Sequence, residues 1–272
     1  MRALGLPLLL VVLALAGCGE ARFGLVRPPT SPAVSISLVR LSWSNVYLLR
    51  AGDAAVLVDS GSPGDWDALV SALALEQLTP GALRLVVLTH GHADHAGLAA
   101  RLQRESVPIA LGAGDRGMAS RGHDDPLVPT SPLGDVLRPF VDFPYEPFTP
   151  DLVVEAPLEL SAYGLPGVRV LPMPGHTPGS LVVEVGRRDV LVGDQMLGGL
   201  GGELGGGNAG EHFYQADLRE NHCNVLALVQ RGVVTFYPGH GGPIDRVSVI
   251  GWEHDWAEDA LRCRERRAPA AR

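Results

Sequence analysis

Lysine is absent from this sequence, and all 22 of its basic side chains are arginine. A nucleotide-binding loop of the Walker type is therefore excluded, because that loop needs a lysine to reach the phosphates. Basic residues are also outnumbered: there are 30 acidic side chains, and the net charge is −8. This balance argues against a surface that binds nucleic acid. At 272 residues the chain is long enough for one large domain with a sizeable core.

The N-terminus carries an apolar run, from Leu4 to Ala16, that is too short to span a bilayer comfortably but has the length of a signal-peptide core. The run ends in Ala16-Gly17-Cys18, which resembles a bacterial lipobox. We therefore predict that residues 1–17 are a signal peptide, that Cys18 is lipidated, and that the proline-containing residues 18–33 form a stiff tether to a domain spanning 34–272. This predicts a location in the bacterial cell envelope, anchored to a membrane and facing the periplasm or the exterior. A plain secretory signal, giving a secreted soluble protein, is the alternative.

Cysteine is scarce, with three residues in the chain. Besides Cys18 there are Cys223 and Cys263, and an exported protein occupies a compartment that permits disulfides. The two could pair, or they could be two small buried apolar side chains. The sequence leaves both possibilities open.

The stretch from Thr89 to His95 is the one richest in possible metal ligands, with three histidines and an aspartate within six residues. It follows Leu85–Leu88, a short apolar run that predicts a buried strand, and a helix is expected to follow from about Asp94 to Arg104. His90 and His92 are two apart, so a loop backbone can aim both the same way, whereas Asp94 and His95 are adjacent and must diverge, which suits a second metal ion. Imidazole and carboxylate are ligands for zinc, and also for iron or manganese. A solvated polar loop is the alternative for such a cluster.

Four motifs in order give the chain a resemblance to the metallo-β-lactamase superfamily. His-x-His-x-Asp-His after a strand is similar to the first motif of that family, and three later motifs supply one side chain each: His176 in Leu171–Ser180, Asp194 after Val190–Gly193, and His240 in Tyr237–Gly241. The resemblance implies an α/β fold, an αββα sandwich of two mixed β-sheets flanked by helices.

The same resemblance implies a ligand set for two divalent metal ions, which we expect to be Zn²⁺, with Fe or Mn as alternatives. It assigns His90, His92 and His176 to the first ion and Asp94, His95 and His240 to the second, with Asp194 bridging both. Asp94 would also be catalytic, orienting the attacking water and passing on its proton. Asp59, in a turn similar to one beneath the metal loop of the family, would orient a ligand; alternatively it caps the helix expected near residues 65–78.

The resemblance predicts an enzyme, a metal-dependent hydrolase in which a metal-bound hydroxide attacks an ester, thioester or lactone carbonyl of a small-molecule substrate. Hydrolysis of β-lactams is less favoured, because those relatives have cysteine or serine where this chain has Asp194. Hydroxyacylglutathione hydrolases share the ligand set but carry a basic C-terminal part, whereas about thirty residues follow His240 here. Lactonases of the family place a tyrosine shortly after the bridging aspartate, where this chain has Gln195-Met196-Leu197.

Two other classes of function remain open. One is a mononuclear iron dioxygenase of the same superfamily that acts on a persulfide; the presence of both His95 and His240 argues against it. The other is a non-catalytic lipoprotein, which would have to bury the ligand side chains without metal at considerable cost.

Three segments outside these motifs also have predicted structures. Residues 112–150 are rich in Gly, Pro and Asp, which predicts either an insertion whose aromatics line the cleft or a surface excursion that packs its own aromatics. The glycine-rich segment 198–210 predicts a lid or a slack loop. Apolar spacing predicts a helix over Glu211–Gln230 that carries His212 and His222. His212 could reach the cleft, but we interpret both as solvated helix residues, and His123 as an ordinary polar histidine.

Overall fold

The computed structural model describes residues 22–27, 34–199 and 207–253, together with residues 256, 258, 259, 262 and 263. The predicted signal peptide and the predicted lipidation site Cys18 lie outside the described residues, as do residues 200–206 of the glycine-rich segment. Among the helices of the described part, none has the length and apolar character needed to cross a membrane.

The first sheet has seven strands, hydrogen-bonded in chain order. They are β1 (Arg22–Arg27), β2 (Ser35–Arg40), β3 (Asn45–Ala51), β4 (Ala54–Val58), β5 (Leu85–Val87), β6 (Ile109–Gly112) and β7 (Leu152–Val154). The pairs from β1 to β4 are antiparallel, and those from β4 to β7 are parallel, so the sheet is mixed. Strand β1 lies within the segment that we expected to be a tether, and it pairs with β2.

The second sheet has six strands in the order β15-β14-β11-β10-β9-β8. They are β8 (Leu158–Glu159), β9 (Val168–Pro172), β10 (Leu181–Val185), β11 (Asp189–Gly193), β14 (Thr235–Pro238) and β15 (Ile244–Asp245). Strands β11 and β14 pair in parallel, whereas the other described pairs of this sheet are antiparallel. A separate two-stranded ladder joins β12 (Leu197–Gly198) to β13 (Ala209–Gly210) and closes the base of the glycine-rich segment.

Seven helices are described: α1 (Trp66–Leu75), α2 (Ala93–Ala96), α3 (Ala99–Arg104), α4 (Arg116–Arg121), α5 (Pro132–Val141), α6 (Leu218–Gln230) and α7 (Arg246–Glu253). Single 3₁₀ turns occur at Pro80–Ala82, Ala113–Asp115 and Leu160–Tyr163.

The strands alternate between two apolar layers, as a side-chain period of two requires. On β4, Val56 and Val58 face a core shared with Val183 and Leu191 of the second sheet. The intervening Leu57 faces the other way, toward helices of the outer layer. On the far side of the second sheet, a third core packs strand residues against α6 and α7. The order of layers is helix, sheet, sheet, helix, which confirms the αββα sandwich with two mixed sheets.

Two expected helices differ from the structure near the site. The helix expected to start at Glu211 begins at Leu218, because the side chain of Asp217 accepts a hydrogen bond from the backbone nitrogen of Glu220 and caps it. Residues 211–217 are therefore not helical. The helix expected over residues 94–104 is divided into α2 and α3.

Cys223 and Cys263 form a disulfide, with their Cα atoms 5.3 Å apart. This decides between the two possibilities that the sequence left open. The bond ties α6 to the C-terminal segment across 40 positions of the chain.

Candidate metal centre

The side chains of interest follow the carboxyl ends of four strands. His90 comes three residues after β5, His176 four residues after β9, Asp194 directly after β11 and His240 two residues after β14. Backbone hydrogen bonds hold these ends together: Leu181 donates to the carbonyl of Thr89, and Gly239 donates to the carbonyl of Gly193. The carboxyl ends of strands are the usual place for a site in an α/β fold.

All seven predicted ligands meet at this edge. Their donor atoms form three groups, in each of which the atoms lie within 4.8 Å of one another: His90, His92 and His176; His90, His95 and Asp194; and Asp94, His95 and His240. The first and third groups are the two sets that the family resemblance implied. The middle group connects them.

Asp194 lies at the centre of the cluster, and its side chain is only 2% exposed. Its Oδ2 atom is 3.2 Å from His240 Nε2 and 3.4 Å from His95 Nε2 on one side. On the other side it is 3.8 Å from His90 Nε2 and 3.7 Å from His176 Nε2. The geometry is that of a carboxylate shared between two sets of imidazoles.

Asp94 and His240 form the open side of the cluster. Their side chains are 22% and 19% exposed, whereas His90, His95 and His176 are buried. Asp94 Oδ2 lies 3.3 Å from His240 Nε2 and 3.6 Å from His95 Nε2. Asp94 is therefore partly open to solvent, whereas Asp194 is not.

The Nδ1 atoms of His90 and His95 are held by neighbouring side chains, as is usual for metal-binding histidines. Asp59 Oδ2 lies 2.9 Å from His95 Nδ1, and Thr89 Oγ1 lies 3.1 Å from His90 Nδ1 and donates to the Asp59 carboxylate. Asp59 is thus placed to orient His95, and it is Asp65, not Asp59, that lies at the N-cap of α1.

The segment 112–150 supports the ligand loop. The buried Asp115 accepts hydrogen bonds from the backbone nitrogens of Gly91 and Gly179 and from the hydroxyl of Thr177, so one carboxylate joins the loops that carry His90 and His176. The Tyr145 hydroxyl donates to the Gly91 carbonyl. Tyr145 and Phe148 belong to the core between the first sheet and its helices, so these two aromatics pack into the domain and do not form the surface excursion that was one of the two expectations.

A sixth histidine lies at the centre, and the sequence did not predict it there. His212, interpreted as a solvated helix residue, is buried in the loop before α6, and its Nε2 atom lies 3.2 Å from Asp194 Oδ2. A fourth group of possible ligands therefore consists of His176, Asp194 and His212. His222 is buried as well, between Glu211 and Asp259 and stacked on Trp256. The interpretation of His212 was wrong because apolar spacing hid the loop that ends at Asp217. His222 lies on α6, as expected of a helix residue, but it is buried and not solvated.

Burial keeps the first group of imidazoles neutral. It lowers the pKa of His92 to about 4 and the pKa of His176 to about 3, and it holds the pKa of His90 well below its ordinary value. Neutral imidazole is the form that binds a metal ion. This half of the centre is therefore prepared for an ion at neutral pH.

The second group is charged when no metal is present. Burial alone would lower the pKa of His240, but the charge of Asp194 and hydrogen bonds to Asp194 and Asp94 outweigh it and raise that pKa to about 10. Burial would also lower the pKa of His95, but the charges of Asp194, Asp94 and Asp59 outweigh this effect and raise that pKa above its ordinary value. An ion in this half must displace protons.

Three buried polar atoms of the centre lack a partner within the protein, and a bound metal ion would supply one. His90 Nε2, His95 Nε2 and Asp194 Oδ1 have no hydrogen-bond partner. A buried polar atom without a partner is costly, and the three face the same cluster. Their donor types, imidazole nitrogen and carboxylate oxygen, are those that zinc, iron and manganese accept.

The raised pKa of His240 predicts a pH dependence for the metal-free protein. Below about pH 6.5 the ring is protonated in both the folded and the unfolded chain, and the stabilisation by Asp94 and Asp194 is fully present. As the pH rises toward 10 this stabilisation is lost. Urea midpoints of chelator-treated protein should therefore fall more steeply with rising pH than those of His240→Gln. Equal slopes for the two proteins would contradict the prediction.

Comparison with known proteins agrees with this geometry. The model of the metallo-beta-lactamase superfamily matches residues 42–240. A hydroxyacylglutathione hydrolase from Anaeromyxobacter dehalogenans (strain 2CP-C) is 35% identical over 194 residues, which are 71% of this chain and 60% of that protein. The chain thus spans less than two thirds of the length of that relative.

Solved structures show the same fold. The metallo-β-lactamase MIM-1 from Novosphingobium pentaromativorans superimposes with a TM-score of 0.61 at 17% identity, over 96% of this chain and 98% of that one. TTHA1623 in a di-iron-bound form superimposes with a TM-score of 0.54 at 23% identity, over 78% of this chain and 92% of that one. Taken together, the family model, the αββα sandwich and the converging histidines and aspartates show that this chain belongs to the metallo-β-lactamase superfamily.

Proposed function

We propose that this chain is a hydrolase with two divalent metal ions, expected to be Zn²⁺, that cleaves an ester, thioester or lactone. The 35% identical relative supports the hydrolase class, since it is named as a hydroxyacylglutathione hydrolase. The metal count is inferred from the site, whereas zinc and the carbonyl substrate are expectations that follow from the family resemblance and from that relative.

The position of Asp194 carries the proposal. Its Oδ2 atom is 3.4 Å or less from nitrogens of His95 and His240 and 3.8 Å or less from nitrogens of His90 and His176. One set of imidazoles is neutral, and the other set can release its protons to a metal ion. A carboxylate between the two sets would lower the repulsion between two dications and fix their spacing. A site for a single ion would not need His95 and His240 beside the first group.

When bound, two such ions supply Lewis acidity and lower the pKa of a shared water toward neutrality. His90, His92 and His176 would hold one ion, and Asp94, His95 and His240 the other. Asp94 is the carboxylate on the open side, so it can orient the attacking water and accept its proton. Burial would raise the pKa of Asp94, but the neighbouring His95 and His240 outweigh that effect and hold it well below its ordinary value. Asp94 is therefore ionised at neutral pH.

A thioester is the substrate best supported among the three. The relative that is 35% identical is named as a hydroxyacylglutathione hydrolase, whereas the metallo-β-lactamase structures are under 25% identical and support the fold alone. Cleavage of a β-lactam stays the alternative that a substrate panel must include.

Metal analysis and a substrate panel test the proposal together. Protein purified without chelator should contain two zinc ions per chain and should turn over at least one of an activated ester, a thioester and a lactone faster than a cephalosporin. One iron per chain, with oxygen consumption on a persulfide, would overturn it in favour of the dioxygenase. Absence of bound metal would overturn it in favour of a non-catalytic protein.

We also propose that the protein acts outside the cytoplasm, anchored through Cys18. The disulfide between Cys223 and Cys263 supports an oxidising compartment.

A further inference from the structure

We propose that His212 is an additional metal ligand, which joins His176 and Asp194 on the ion that they hold. No motif of the sequence marks this residue. The inference rests on the proposed metal centre.

The distances place His212 among the ligands. Its Nε2 atom lies 3.2 Å from Asp194 Oδ2, the same distance as that of His240 Nε2. Two donor atoms that share one ion, each about 2.1 Å from it, are about 3.0–3.4 Å apart for octahedral to tetrahedral angles. The His212 pair falls in this interval. The His212 ring also lies edge-on to the His176 ring, with centroids 4.7 Å apart.

The opposite nitrogen of His212 is held in the way that a ligand requires. Its Nδ1 atom lies 3.0 Å from the carbonyl oxygen of Tyr214, and the Nδ1 atom of His176 lies 3.0 Å from the same oxygen. A ring that donates from Nδ1 to a carbonyl presents an unprotonated Nε2 for a metal. One backbone carbonyl thus orients two imidazoles toward one carboxylate.

A second hydrogen-bonding arrangement is also within reach. The Tyr214 backbone nitrogen lies 3.2 Å from His212 Nδ1 and can donate to it, which would put the ring proton on Nε2 and direct it at Asp194. In that case His212 would be a hydrogen-bond donor, not a ligand. The shorter contact to the carbonyl favours the ligand form, and substitutions at His212 separate the two.

The loop that carries His212 is built onto the other ligands. The backbone nitrogen of Ala216 donates to the carbonyl of His176, and the side chain of Gln215 donates to the carbonyl of Asp194. On the other side, the hydroxyl of Thr130 donates to the carbonyl of His212 itself. The segment is therefore fixed relative to both partners, and His212 is only 7% exposed. A buried imidazole held this firmly needs a partner for Nε2.

Cobalt substitution tests the assignment without depending on turnover. Metal-free protein is titrated with Co²⁺, and its visible absorption is followed for wild type, His212→Ala, His212→Gln and His123→Gln. His123 serves as the matched control because it is a half-exposed histidine outside the centre. We expect both His212 variants to change the Co²⁺ spectrum and to bind one of the ions at least about 10-fold more weakly, and His123→Gln to match wild type.

The two substitutions at His212 distinguish a ligand from a hydrogen-bond donor. Glutamine can donate to Asp194 but is a poor ligand for these metals, so a wild-type spectrum and affinity in His212→Gln would overturn the proposal. An unchanged His212→Ala spectrum would overturn it as well. Wild-type protein that binds no cobalt would instead refute the metal centre itself, so the two failures are distinguishable. Thermal unfolding of the metal-free variants shows whether they fold.

Discussion

Asp194→Asn should lose metal from both halves of the centre and lose hydrolysis by roughly 10³-fold or more, beyond the about 10- to 100-fold that outer partners of ligands contribute. The substitution keeps the size of the side chain but removes the charge that offsets two dications. It also places an amide group at the point where five imidazole nitrogens lie within 3.8 Å of Oδ2. Metal stoichiometry by elemental analysis, with turnover of one activated ester, measures both losses.

Two further variants make this result specific. Asp189→Asn changes a buried aspartate at the other end of β11, which accepts a hydrogen bond from Tyr237, and should leave metal content and turnover near wild type. His240→Ala removes a ligand of the second group only and should mainly empty that half. If Asp194→Asn keeps two tightly bound ions and near-normal turnover, Asp194 is not the bridge.

Asp94→Asn should separate catalysis from metal binding. At saturating metal we expect kcat to fall by about 10²–10⁴-fold, the contribution typical of a positioned acid or base, while the first ion remains bound. The reason is that Asp94 is the carboxylate with an open face, with 22% of its side chain exposed. The second ion should bind more weakly, since it loses an anionic donor. Steady-state kinetics at several metal concentrations distinguish the two effects.

The matched control for this experiment is Asp135→Asn. Asp135 is an exposed aspartate on α5, paired with Arg138, and its substitution should leave kcat and KM unchanged. A fall in turnover of Asp94→Asn that excess metal fully restores would show that Asp94 acts as a ligand alone.

The strands and the first ligand loop could be predicted from local sequence patterns, whereas the order of the layers was implied by the family resemblance. Successive strand residues such as Val56 and Leu57 face opposite apolar cores, and polar side chains cluster where such runs end. The resemblance of the later motifs to those of the family then assigned three distant side chains to the same cluster as the first motif: His176, Asp194 and His240.

The parts that were missed depend on contacts between distant segments. His212 lies in a stretch whose apolar spacing suits a helix, but the cap at Asp217 and contacts with distant segments, such as the pairing of Pro129 with Tyr214, give it another conformation. Asp115 is similar: it joins Gly91 to Gly179, 24 and 64 positions away. Neither role leaves a local pattern to read.

The carbonyl of Tyr214 bears on how this centre tolerates mutation. It lies 3.0 Å from Nδ1 of both His176 and His212, and a backbone carbonyl persists whatever side chain the codon specifies. His95 depends instead on the carboxylate of Asp59, which a single nucleotide change can remove. A single substitution can therefore misalign His95 more readily than the two rings that are oriented from the backbone.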